Sequence, residues 1–164
     1  MAWEPARADA PNSDVAAGVR QAVIGILSYT RWPQPTPALR LCVVGHPDYA
    51  AALFGGAMQI GKAPVTVSQN AAGASDIGTR CDAVYSGQMP QAEQQHLRQL
   101  LSGHPVLTIT EDDPPCSGGN MFCLDLAAGS TTPGFSVNLD SVARSGVAVN
   151  PRVLLLGRRR KAGR

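Results

Sequence analysis

The sequence predicts an α/β fold: a mainly parallel central sheet flanked by helices, with late strands added antiparallel. Two observations carry that reading. Through the first 110 residues, apolar and β-branched runs suited to buried strands alternate with segments of helical character, the pattern of βαβ units. Beyond residue 110, strand-like runs follow one another with turn-rich chain between them.

Each element has its own signal. Ser13 is a good N-cap ahead of Val15, Val19, Val23, Ile26 and Thr30, whose spacing marks one helical face. A helix is predicted from Asp14 to Arg31, stopped by Pro33. The segment from Arg31 to Pro37 is extended linker, because each proline biases its predecessor away from helix. Leu39 to Val44 is a buried strand closed by Gly45, and His46-Pro47-Asp48-Tyr49 opens a short helix ended by Gly55-Gly56. There Asp48 would favour the positive helix N-terminus. Val65 to Val67 is a second strand, Cys81 to Tyr85 a third, and Val106 to Thr110 a fourth. Between the last two lies a polar-faced helix, Gln91 to Leu101. A turn-rich loop, Glu111 to Asn120, leads to Met121–Leu126. Phe135 to Leu139 is a further strand, Asp140 to Ser145 a helix stopped by Gly146, and Pro151 to Leu156 a last apolar helix or strand.

At 164 residues the chain suits one domain, long enough to bury roughly 68–70% of its unfolded surface. That domain is assigned to residues 14–156, between a flexible leader (1–13) and a basic tail (157–164). The leader has neither the charged nor the apolar region of a signal peptide, although removal of one would leave the same picture. No run of 18 apolar residues is present, so no membrane span is expected. Six basic residues crowd the last 13 positions, leaving 8 basic against 12 acidic in the rest. The body is therefore mildly acidic. The tail has no interleaved aromatic residues and reads as a solvated charge run, so no nucleic-acid partner is expected.

Four cysteines are the most informative residues. Their spacings contain no C-x-x-C, which leaves neither a zinc knuckle nor a thioredoxin motif. First and third strands are commonly neighbours in doubly wound sheets, which puts Cys42 beside Cys81. Cys116 and Cys123 then close a short loop around Ser117-Gly118-Gly119-Asn120. Two disulfides imply an oxidising compartment; the alternatives are four reduced, buried cysteines or a four-thiolate metal site.

Catalytic groups are scarce. His46 and Asp48 follow the first strand, where α/β proteins place ligands, but the pair reads equally well as a turn and helix start. His96 sits on a polar helix and His104 in a turn. There is no G-x-S-x-G elbow, H-E-x-x-H or P-loop. Glu111, Asp112 and Asp113 lack calcium-loop spacing and read as a solvated loop. No enzyme, cofactor or metal is expected.

The run Leu39-Arg40-Leu41-Cys42-Val43-Val44-Gly45, the helix exit Tyr29-Thr30-Arg31-Trp32-Pro33, Cys81-Asp82-Ala83-Val84-Tyr85, Pro105-Val106-Leu107-Thr108-Ile109 and the stretch from Phe135 to Gly146 fall in the order seen in the YfiR family. The resemblance covers about Asp14 to Leu156. It implies a periplasmic, non-enzymatic regulator that holds an inner-membrane diguanylate cyclase of the YfiN type inactive. An OmpA-like outer-membrane lipoprotein of the YfiB type draws such a repressor away, raising cyclic di-GMP and favouring biofilm, with redox state and envelope stress as inputs. The second pair, Cys116 and Cys123, departs from many relatives. A homodimer is expected from the resemblance and from the prevalence of symmetric oligomers. Arg31, Trp32, Phe122 and Arg144 are the candidate partner-binding residues, being arginine and aromatic types enriched in interface anchors. Each has a structural alternative: for Trp32 a plug at the core edge, for Phe122 an inward-facing position. The rivals are a small-ligand receptor using a cleft near His46, Asp48 and Ser86, or a hydrolase using the same groups.

Overall fold

The computed structural model describes residues 10–34, 36–111, 116, 119–126 and 133–157, with side chains from Asp14 onward. Helix α1 (Ala10–Ser28) buries Val19, Val23, Ile26 and Leu27 along one face, the i, i+4, i+7 stripe of the sequence. It starts before Ser13, which therefore lies inside the helix rather than capping it. Pro11 is tolerated in this first turn because its missing N–H has no helical partner there. The helix also ends earlier than Arg31: Thr30–Arg31 form a short strand, β1, paired antiparallel with β9 (Ala148–Val149). Tertiary pairing, not Pro33, ends the helix.

The main sheet comprises β2 (Leu39–Val44), β3 (Met58–Ile60), β4 (Ala63–Gln69), β5 (Ala83–Ser86), β6 (Leu107–Thr110), β7 (Phe122–Asp125) and β8 (Gly134–Val137). Its order is β3-β4-β2-β5-β6-β7-β8; the five inner strands run parallel, and β3 and β8 are antiparallel edges. One of the two antiparallel additions is thus early rather than late, and β7 is parallel. Short helices α2 (Ile77–Arg80), α4 (Leu139–Ser145) and α5 (Val153–Leu156) join the longer α3 (Gln91–Leu101). The helix expected after His46 is a single 3-10 turn, Ala51–Phe54. Asp48 lies ahead of it and does not occupy its N-terminus.

Strand alternation divides the core into two clusters. Leu39, Leu41, Val43, Tyr85, Leu107, Ile109, Phe122 and Leu124 point to the side covered by α1. Cys42, Val44 and Val84 point to the other side, under Ile77 of α2 and Leu97 and Leu101 of α3. Leader residues 1–9 and tail residues 158–164 lie outside the described residues. Among those described, no helix is long and apolar enough to cross a membrane.

Candidate partner surface and groove

Disulfides join Cys42 to Cys81 and Cys116 to Cys123, so no thiolate among them is left to hold a metal. Cys81 is not in a strand. Its N–H donates to the Ile77 carbonyl and closes α2, so the bridge ties β2 to the junction of α2 and β5. The second bridge lies against α4: Asn138 caps that helix by accepting from the Ser141 N–H, while its own amide donates to the Cys116 carbonyl.

Arg31 is exposed on β1, and Trp32 beside it is half-buried against the core edge. The Trp32 indole N–H donates to the Asp82 carbonyl at 2.9 Å. Asp82 itself is buried and accepts from the Arg40 backbone N–H and from two nitrogens of its guanidinium at 3.0–3.1 Å. This forked hydrogen bond raises the Arg40 pKa above its ordinary value. Sequence reasoning missed the Arg40–Asp82 pair because Arg40 on β2 and Asp82, just ahead of β5, are 42 positions apart in the chain. Pairing of β1 with β9 sets Arg31 opposite Ala148, just beyond α4 and the exposed Arg144. The ribbon thus ties Arg31 to the segment that follows α4.

Phe122 does not join them. It is fully buried, with its ring edge-on to Phe135 at 5.6 Å between centroids, so it has no surface to offer a partner. Met121 is buried in the same cluster, since it precedes the strand and escapes its alternation.

Glu111 likewise differs from the solvated loop residue expected of it. It is buried and accepts from the N–H groups of Asp48 and Tyr49 and from the Tyr85 hydroxyl, at 2.6, 2.9 and 2.7 Å. Burial raises the Glu111 pKa, and the three hydrogen bonds only partly oppose it. Burial, reinforced by the Glu111 charge, raises the Tyr85 phenol well above its ordinary range. This cluster anchors the chain after β2 to the end of β6. Asp112 and Asp113 lie outside the described residues, as do Ser117 and Gly118.

The cleft expected near His46, Asp48 and Ser86 is only partly formed. His46 bridges Gln88 through the backbone, but His46 and Asp48 are exposed. Ser86 instead lines a groove of about 410 Å³ with Thr108, Thr110, Arg98, His104 and Arg144, and neither His46 nor Asp48 borders it. His96 is exposed, as its polar helix suggests; His104 lies in the turn after α3, as expected, and is half-buried.

Fold and site together define a disulfide-braced α/β domain that presents an arginine–tryptophan surface and an open groove. The chain belongs to the YfiR/HmsC-like family, whose model matches residues 17–158. Membership supports, in general terms, a periplasmic regulator of cyclic di-GMP signalling that interacts with signalling partners; the family is regulatory rather than catalytic. Two disulfides are consistent with that oxidising compartment. Among solved structures, the chain is similar to YbdL from Escherichia coli, described as having a methionine aminotransferase function, at 15% identity and a TM-score of 0.36. That likeness covers 58% of this chain and 28% of the other, and carries nothing over to this one.

Proposed function

We propose that this protein is a periplasmic repressor that binds an inner-membrane diguanylate cyclase of the YfiN type and holds it in its off state. The observation that carries the reading is family membership across residues 17–158. Repression requires differential affinity: the repressor must bind the off state more tightly than the on state, because equal binding shifts nothing. Release then follows from capture by an OmpA-like lipoprotein of the YfiB type, or from redox or envelope stress acting on the disulfides. The working unit is a homodimer.

The exposed Arg31 guanidinium and the Trp32 ring are the proposed contact points, with Arg144 flanking them across the β1–β9 ribbon. Support comes from the exposure of Arg31 and Arg144 and from the hydrogen bond that fixes the half-buried Trp32 to Asp82. The test combines the oxidised protein with the periplasmic part of the cyclase and follows binding and cyclic di-GMP synthesis. Saturable binding that lowers synthesis is expected, with Arg31→Ala weakening it at least tenfold and leaving the thermal midpoint unchanged. Absence of both binding and inhibition overturns the reading; inhibition that Arg31→Ala, Trp32→Phe and Arg144→Ala all leave intact overturns the surface.

A further inference from the structure

The side of the sheet that carries the Cys42–Cys81 bridge changes character partway across. Over β2 and β5 it is apolar, with Cys42, Val44 and Val84 packed under helices. Over β6 the same face presents Thr108 and Thr110, joined by Ser86 at the end of β5, and these hydroxyls border the groove between α3 and α4. At about 410 Å³ it falls within the size range of small-molecule sites, on the order of 300–1,000 Å³.

Its charge runs against that of the body. Residues 1–151 carry 12 acidic groups against 8 basic ones, yet the described lining includes Arg98, Arg144 and His104 and no carboxylate. Two of these side chains are seated where the chain has left out a Cβ. A Cβ at Gly119, whose φ is +90°, would stand 2.5 Å from Cδ of Arg98, and one at Gly78 would stand 2.4 Å from Cδ2 of His104. Both are thereby pre-positioned at the groove, which lowers the ordering cost of binding. Beside them Met89, Leu97 and Leu101 supply apolar wall.

We propose that this groove is a binding site for a small organic anion, an apolar body carrying one carboxylate or phosphate. Arg98 and Arg144 hold the anionic group, since a planar guanidinium matches both oxyanions. The Met89, Leu97 and Leu101 side chains take the apolar part. The site shares Arg144 with the proposed partner surface, but neither Arg31 nor Trp32 lines it.

The test is an amide NMR titration of the oxidised protein with phenyl phosphate, benzoate and benzyl alcohol, the last a neutral analogue, alongside inorganic phosphate. Phenyl phosphate and benzoate are expected to shift Thr108, Asn120 and Ser141 in a saturable way, at least tenfold more tightly than benzyl alcohol. Arg144→Gln, on an exposed helix position, should weaken phenyl phosphate about tenfold with the spectrum otherwise retained, and Arg98→Gln should do the same. Benzyl alcohol binding as tightly as the anions, shifts centred elsewhere, no binding at all, or affinity unchanged in Arg144→Gln would overturn the site. Inorganic phosphate matching phenyl phosphate would overturn the organic part of the assignment. No partner protein enters the assay, so its failure is distinguishable from failure of the repressor reading.

Discussion

The two faces of the central sheet are stabilised by different means. Toward α1, strands and helix form a continuous apolar core in which Phe122, Tyr85, Leu41 and Ile109 are fully buried. Toward α3, a smaller cluster is supplemented by a disulfide and then gives way to hydroxyls around an open groove. One face gains its stability from area removed from water; the other adds covalent constraint and leaves a place where polar groups meet solvent. The continuous apolar core and the open groove thus lie on opposite sides of the same strands.

The largest effect should come from the α1 face. Phe122→Ala is expected to cost about 3–5 kcal/mol in urea unfolding, the range for emptying a buried aromatic site; a loss below 1 kcal/mol would contradict its burial. Next come the bridges. Replacing Cys42 and Cys81 together by Ala should cost about 4 kcal/mol, and replacing Cys116 and Cys123 about 2.5 kcal/mol, because the longer loop is constrained more in the unfolded chain. Equal losses would remove the distinction between a sheet staple and a loop staple.

Glu111 gives a smaller effect that depends on pH. Its folded pKa is raised above the ordinary 4.5, so its contribution is full below that value and is lost as pH rises through the folded pKa. The stability advantage of the wild type over Glu111→Gln should therefore shrink from acid to neutral pH. Urea midpoints across that range measure it, and a widening advantage would contradict the sign. Smallest of all, Arg144→Gln should move stability by no more than about 0.5 kcal/mol, which calorimetry can check.

Elements with strong local signals were legible. β2, β5 and β6 are apolar runs, α3 has a clear polar face, and Gly146 ends α4 in the left-handed conformation, φ +87°, that glycine favours. The short elements were not: β3, β9 and α2 hold too few residues for a period to emerge, and partners distant in sequence specify them. The site divides the same way. Cysteine adjacency follows from strand order, and Arg31 and Trp32 stand out by residue type. Glu111 looked like part of a solvated acidic run because Tyr85 and the Asp48–Tyr49 backbone, which bury it, are far away along the chain. The groove has no motif, since its lining comes from several separate segments.

The β1–β9 ribbon also joins the two sequence ends of the domain. Thr30 and Arg31 pair with Val149 and Ala148, and Asn150 donates to the Tyr29 carbonyl, contacts between opposite ends of the domain. Closing so long a loop costs more chain entropy than closing a local one. The setting of Arg31 therefore depends on residues 148–150, and a chain that lacks them leaves β1 without its partner strand.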